Sequence, residues 1–330
     1  MKVSFLRLKG IDQRWWYLAL ALGTILLPWF VSNYWISVAV FFGIYALLGL
    51  SLNIILGYAG LFQLGHAAFW AVGAYTTAIL NTRYGIPILA TLPISALVSV
   101  LFAILITKPI IHLRGDYLCL VTIGFGEIVR LFLFNDPLGI TGGINGIRGI
   151  DRPSIFGFVF HQPIHYYYLT IAFVAFTIFA MRRLENSRLG RAWVYVREDE
   201  LAAEAMGIDT TQVKLLAFAI GAAWAGVAGT LYASRYTVIA PETFSFWNSC
   251  VIFCIVILGG TGSIPGVLVG TLGMVVLPEL LRDVLEAVLQ WRMLVFGAAM
   301  MLMMIFRPEG FWPSPIRRHE LRVAGTTSSE

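Results

Sequence analysis

Apolar residues run along this chain in long unbroken stretches. No Lys, Arg, Asp or Glu occurs from Trp15 to Thr82, a run of 68 residues, and charge-free runs recur at Tyr84–Thr107, Leu215–Ser234, Thr243–Pro278 and Met293–Phe306. A transmembrane helix needs roughly 20 mostly apolar residues. The pattern therefore predicts an all-α polytopic membrane protein, with spans at about 15–31, 36–56, 62–80, 86–107, 117–134, 164–181, 213–234 and 289–306. The stretch 248–277 is also apolar, but Gly259-Gly260-Thr261-Gly262-Ser263-Ile264-Pro265-Gly266 interrupts it. Such a run does not continue a helix cheaply. It predicts a broken span or two half-spans, giving about eight full spans plus a broken or re-entrant pair, eight to ten segments in all.

A weak internal match points to a two-fold repeat. Leu56-Gly57-Tyr58-Ala59-Gly60 and Leu258-Gly259-Gly260-Thr261-Gly262 share L-G-x-x-G at an offset of 202 residues. Paired Gly-interrupted segments mark the transport path in repeat-built transporters, although Gly is also common at membrane helix contacts. Gly57, Gly60, Gly259, Gly260, Gly262 and Gly266 are the candidate hinge positions.

Composition narrows the class. The chain is 58% apolar and 12% charged, with mean hydropathy +0.80, against about 45–50% and about 25% in soluble domains. This excludes a nucleic-acid binder, a secreted disulfide domain and a water-soluble enzyme. The three cysteines, Cys119, Cys250 and Cys254, lie in apolar runs and read as small packing residues. Residues 15–31 follow a basic segment but lack a small-x-small cleavage site, so they read as a retained first helix. With the N-terminus inside, the inner segments 1–14, 108–116, 182–214 and 307–330 hold sixteen Lys and Arg, and the outer ones six. That bias places both termini in the cytoplasm. The chain then divides into a cytoplasmic segment 1–14, a transmembrane domain 15–306 and a cytoplasmic tail 307–330.

The inner segment 182–214 holds six basic and six acidic residues. Residues 198–206 read as a short helix, with Glu198 or Asp199 favouring its N-terminus, an Ala-rich body and Gly207 as its stop. Leu201, Ala205 and Ile208 share one apolar face. Such a helix either lies in the lipid interface or docks into a groove on a cytoplasmic partner. The near balance of charge argues against an anionic-lipid anchor and for docking.

Several stretches together resemble the membrane subunits of bacterial branched-chain amino acid ABC importers. They are Arg197-Glu198-Asp199-Glu200-Leu201-Ala202-Ala203-Glu204-Ala205-Met206-Gly207-Ile208, Leu64-Gly65-His66-Ala67-Ala68-Phe69, Gly115-Asp116-Tyr117-Leu118, Thr141-Gly142-Gly143-Ile144-Asn145-Gly146-Ile147 and Phe306-Arg307-Pro308-Glu309-Gly310, with the Gly-rich runs above. The resemblance covers about residues 40–312 and favours the M-type subunit over its H-type partner. The sequence departs from it at Gln63, where many relatives carry Ser. The resemblance implies a second homologous permease subunit, two cytoplasmic ATPases and a periplasmic substrate-binding protein, in the bacterial inner membrane. It implies that Arg197, Glu198, Asp199, Glu200, Ala203, Glu204, Ala205 and Gly207 form the element seated on an ATPase. ATP would be bound by the partner subunits, and no cofactor by this chain.

Polar groups inside hydrocarbon are costly and are functional candidates by default. Glu127 and Arg130 lie three apart on one span and are placed to pair. They read either as a packing pair or as a lining that meets both charges of a zwitterionic amino acid. Asn53, Gln63 and His66 are further candidates for the path. Asn53 and Gln63 read equally as satisfying backbone groups freed by Gly57 and Gly60, and His66 reads as a packed, neutral histidine bonded to backbone rather than a proton relay. No phosphate loop of the form G-x-x-x-x-G-K-[S/T], no HExxH and no metal-ligand spacing occurs. The expected function is a permease subunit for branched-chain or related neutral amino acids, and not an enzyme. The rivals are a urea or short-chain amide importer and an ion-driven secondary transporter.

Overall fold

The computed structural model describes residues 28–280 apart from 114, 156, 157 and 161, together with 23, 24, 26, 297, 298, 301, 311 and 312. The span expected at 289–306, most of that at 15–31, and the terminal segments 1–14 and 313–330 lie outside these. Helix α1 (Asn33–Asn53) continues as a π-helical turn, Ile54–Tyr58, and every residue from Gly43 to Ala59 is buried. A helix that is apolar all round belongs in the middle of a bundle. Around it follow α2 (His66–Tyr84), α3 (Ile88–Ile110), α4 (Asp116–Asn135), α5 (Pro163–Glu185), α6 (Arg188–Glu198), α7 (Glu200–Ala205), α8 (Thr210–Tyr236), α9 (Phe246–Gly259), α10 (Ile264–Thr271) and, after a second π turn at Leu272–Val276, α11 (Leu277–Leu280). Helices α5, α8, α9 and α10 all pack on α1.

Five of the described helical segments are long and apolar enough to cross a membrane: 33–58, 88–110, 116–135, 163–185 and 210–236. Each overlaps a stretch expected to span. Helix α2 occupies the place of the expected span at 62–80, shifted to 66–84 because the chain is non-helical from Ala59 to Gly65. The apolar stretch 248–277 is broken, as its glycines predict. Helix α9 ends at Gly259, the chain turns at 260–263, and α10 starts at Ile264 with Ser263 as its cap. At about 1.5 Å per residue, the 14 residues of α9 reach about 21 Å, short of a hydrocarbon core of about 30 Å.

Lipid tails are as apolar as leucine, so close approach and hydrogen bonds, not apolar burial, hold such helices together. Helices α2, α3 and α8 pack in this way. A Cβ at Gly73 would sit 2.4 Å from Gly226 Cα, so the backbones of α2 and α8 touch there. One turn away, the Thr230 hydroxyl meets those of Thr77 at 2.8 Å and Ser95 at 2.6 Å, tying the three helices together inside the bundle. Helix α4 is the outlier. It is loosely packed and presents Tyr117, Leu120, Ile128, Leu131 and Phe132 outward.

Two small two-stranded sheets lie between the helices. Ile147–Arg148 pairs antiparallel with Val238–Ile239, and Ser154–Ile155 with Phe158–Val159. Before them, Asp136 ends α4 at a positive φ of 46°. Its carboxylate accepts the backbone N–H groups of Ile140 at 2.6 Å, Thr141 at 2.8 Å and Gly142 at 3.0 Å. These bonds, Thr141's first, hold its carboxyl below the ordinary value of 3.8 against a smaller opposing effect of desolvation. A lowered folded pKa stabilises fully above the unfolded value and is lost as pH falls through the folded one. Asp136→Asn is therefore expected to lower the thermal midpoint at neutral pH and to lose that deficit as pH falls below the ordinary carboxyl value through the lowered folded one. A deficit that stays constant with pH would contradict this.

Candidate functional site

The expected charged loop 182–214 is almost wholly helical. Helix α5 runs on to Glu185, and three capped helices follow in succession. Ser187 accepts from Gly190 N, Asp199 from Ala202 N at 3.0 Å, and Asp209 from Gln212 N at 2.9 Å. The short helix expected at 198–206 is α7, Glu200–Ala205. Its start falls later because Glu198 closes α6 and Asp199 is the cap between the two. Gly207 ends it at φ +81°, with Ile208 N on Ala203 O and Gly207 N on Glu204 O, the paired bonds of a left-handed C-cap.

The other residues of this element face two ways. Ala203 is buried, Glu200 pairs with Lys214, and Glu204 accepts the Thr210 hydroxyl at 2.8 Å, so α7 is fastened to the start of α8. Leu201 is 66% exposed and Met206 83%, and Ala205 is exposed beside them. Ile208, expected on the same face, is instead half-buried. The outward surface of α7 is thus apolar and unpartnered among the described residues.

Arg197 joins this element to the centre of the bundle. Its Nη1 donates to Gly57 O at 2.8 Å, and its aliphatic stem lies against Gly60, where a Cβ would be 2.3 Å from Arg197 Cγ. Gly60 has φ +70°, which favours glycine, and it lets the chain leave the π turn directly over the arginine. One turn earlier on α6, Trp193 stacks on Tyr58 with ring planes 7° apart and donates to Val213 O at 2.8 Å.

The two L-G-x-x-G stretches meet at the same place. Asn53 Oδ1 accepts Gly262 N at 2.9 Å across 209 residues. A Cβ on Gly57 would lie 2.2 Å from Asn53 Oδ1 and 2.5 Å from Gly262 N. Gly260 and Gly262 take positive φ in the turn, and Gly259 and Gly266 touch backbone to backbone, with Trp312 O also close to Gly266. Phe311 and Trp312 donate to Leu258 O and Gly259 O and clip this turn. The structure therefore brings together Asn53, Gly57, Gly60, Gly262 and Arg197 in one seam.

The remaining polar candidates make separate contacts. Glu127 accepts Arg130 Nε at 2.8 Å, and its other oxygen accepts Phe246 N, the first amide of α9, at 3.3 Å. A carboxylate at a helix N-terminus is favourable there. The pair is only partly covered, at 34% and 26% exposure. His66 is fully buried and bonds Ser51 Oγ at 2.6 Å, a side-chain partner rather than a backbone one. Gln63 is buried in the stretch leading to α2. Among the described residues, Asn53 Nδ2, Gln63 Oε1 and His66 Nδ1 are buried with no hydrogen-bond partner. Buried orphans are rare in folded proteins and each calls for an explanation.

Sequence reasoning missed Ser51, Tyr58, Trp193, Thr122 and Ser249. Ser249 Oγ accepts Ala67 N at 3.0 Å and Thr122 Oγ1 accepts Leu64 N at 3.3 Å, which fixes the break before α2 against α9 and α4. Trp193 was within reach, since it lies four residues before Arg197 on one helix face. Among the described residues no group of three or more His, Cys, Asp or Glu is arranged to hold a metal ion.

Residues 34–304 match the family described as branched-chain amino acid transport system / permease component. The chain is 40% identical over 326 residues to the high-affinity branched-chain amino acid transport system permease protein LivM of Salmonella typhimurium, covering 92% of this chain and 76% of that one. It is 29% identical over 344 residues to the probable LivM of Methanocaldococcus jannaschii, covering 87% and 97%. It is also 26% identical over 297 residues to the LivH permease protein of Salmonella typhimurium, covering 82% and 92%. No solved structure matches the chain.

Proposed function

Because the chain belongs to the branched-chain amino acid transport system permease-component family, we propose that it forms part of the translocation pathway of an ATP-driven importer of branched-chain or related neutral amino acids. The observation that carries the mechanism is the bond from Arg197 to Gly57 O, which ties the α6–α7 element to the break in the central helix. On this reading α6 and α7 lie in the cytoplasm, and the exposed Leu201, Ala205 and Met206 seat on one of two ATPase subunits. A homologous permease subunit completes the pathway, a substrate-binding protein delivers the cargo, and ATP binds to the partners alone. The chain sits in the bacterial inner membrane with both termini inside, eight full spans and a re-entrant α9–α10 pair. Segments 1–14 and 307–330 are its cytoplasmic ends, and 15–306 its membrane domain.

Movement of α7 on the ATPase is passed through Arg197 to Gly57 and Gly60, and through Asn53 to Gly262, so both breaks shift together. The path passes Asn53, Gln63, His66, Glu127 and Arg130. The orphaned amide and imidazole atoms and the partly covered ion pair offer partners to a passing ammonium and carboxylate. The test is uptake of radiolabelled leucine and of urea by proteoliposomes holding the whole assembly. Leucine is expected to be taken up in an ATP-dependent way and urea not. Urea uptake without leucine uptake would contradict the reading.

A further inference from the structure

A cavity of about 190 Å³ opens beside the seam, on the side of α5 and α6. One wall is the hinge, with Tyr58 and Gly262. The other is the end of α5 and one face of α6, with Glu185, Arg191, Tyr195 and Arg197. At about 30 Å³ per water it holds roughly six water volumes, well below the ~300–1,000 Å³ of sites for drug-sized ligands. It therefore suits a small metabolite.

Its chemistry is specific. Tyr58 is only 6% exposed, and its hydroxyl is buried with no hydrogen-bond partner among the described residues. A buried phenol normally finds a partner, so this one is set for a group the chain does not itself supply. Two guanidinium groups, Arg191 and Arg197, share the cavity with it, and guanidinium matches carboxylate geometry. Glu185 adds one carboxylate on the same rim. Arg191, whose Nη1 also donates to Asn186 O, and the phenol suit a carboxylate, and Glu185 suits an ammonium, which together complement a free α-amino acid.

We propose that this cavity binds a free neutral amino acid from the cytosol, and that its occupancy slows import. The identity of the ligand and the side it comes from rest on the proposed function. The consequence for transport follows from position. An amino acid held with its ammonium on Glu185 at the end of α5 and its carboxylate on Arg191 and Tyr58 pins the unit of α6 and the hinge to α5, so accumulated product restrains its own entry.

Two measurements test this. The first is equilibrium binding of radiolabelled leucine to the purified full chain, with inorganic phosphate as competitor. Saturable binding is expected, weakened about tenfold by Arg191→Gln, weakened also by Glu185→Gln and Tyr58→Phe, and resistant to phosphate. Binding unchanged in all three variants, absent altogether, or displaced equally by phosphate would overturn the proposal. The second is import by proteoliposomes with leucine added on the coupling side. Inhibition is expected in the wild type and relief in Arg191→Gln, with uptake in the absence of added product unchanged. Import that proceeds without such inhibition would overturn the proposal and leave the proposed function standing. A failure of leucine import itself would overturn the proposed function, and binding to the chain then decides the cavity alone.

Discussion

Replacing Arg197 with Gln is expected to leave the chain in the membrane at its normal level and to cut leucine uptake by about ten- to a hundredfold. The guanidinium donates to Gly57 O at 2.8 Å, and its stem fills the space above Gly60. A hydrogen bond from a charged donor contributes about 1.5–3 kcal/mol, and each ~1.4 kcal/mol is a factor of ten. The estimate follows if that energy is spent on keeping α6 and the π turn moving as one body. Gln has a shorter reach and no charge, so Gly57 O loses its partner and the stem contact goes with it. Arg197→Lys is expected to fall between the two, because it keeps charge but not the planar fork. Initial uptake rates normalised to the amount of chain in the vesicles measure the effect. Normal uptake in Arg197→Gln would contradict it.

Gly57→Val is expected to have the second large effect, acting on folding as well as transport. A side chain there meets Asn53 Oδ1 at 2.2 Å and the Gly262 backbone at 2.5 and 2.9 Å. Backbone does not give way as a flexible side chain does, and overpacking a close-packed interior costs about 1–3 kcal/mol or more. The Asn53–Gly262 bond is lost in the process. A lower thermal midpoint in detergent and near-absent uptake are the expected results. Gly124→Ala is the control, since Gly124 is exposed on α4 with nothing within 4 Å of its added Cβ. It is expected to leave both measurements unchanged. A Gly57→Val protein as stable and active as Gly124→Ala would show that the two breaks need not touch.

Much of the fold was legible because hydrocarbon leaves a plain signature. Long apolar runs located the described long helices to within a few residues, and Gly259 to Gly266 announced the turn between α9 and α10. The weak repeat at an offset of 202 residues proved to mark two stretches in direct contact, which spacing alone does not say. In the loop 182–214 only the helix at 198–206 was expected, because the charges masked α6 and the ends of α5 and α8. Its start signals, Ser187, Asp199 and Asp209, lay in the sequence as ordinary caps. The site was less legible. Arg197 stood out as part of a charged run, but its partner is a backbone carbonyl 140 residues away, and a carbonyl leaves no mark in a sequence. Tyr58, Ser51 and Ser249 act through tertiary contacts for the same reason. Glu127 and Arg130 did pair as their spacing predicts, while the bond from Phe246 N to Glu127 depends on where α9 begins.

The central claim is that the α6–α7 element and the two glycine breaks act as one mechanical unit. A double-mutant cycle in uptake rate tests it most directly, using Arg197→Lys and Asn53→Ala so that both single variants keep measurable activity. Residues in one network show interaction energies, whereas independent sites add. If the seam is a single unit, the double variant is expected to transport no worse than the poorer single one. A double variant whose loss equals the product of the two single losses would mean that Arg197 and Asn53 act independently, and would contradict the account.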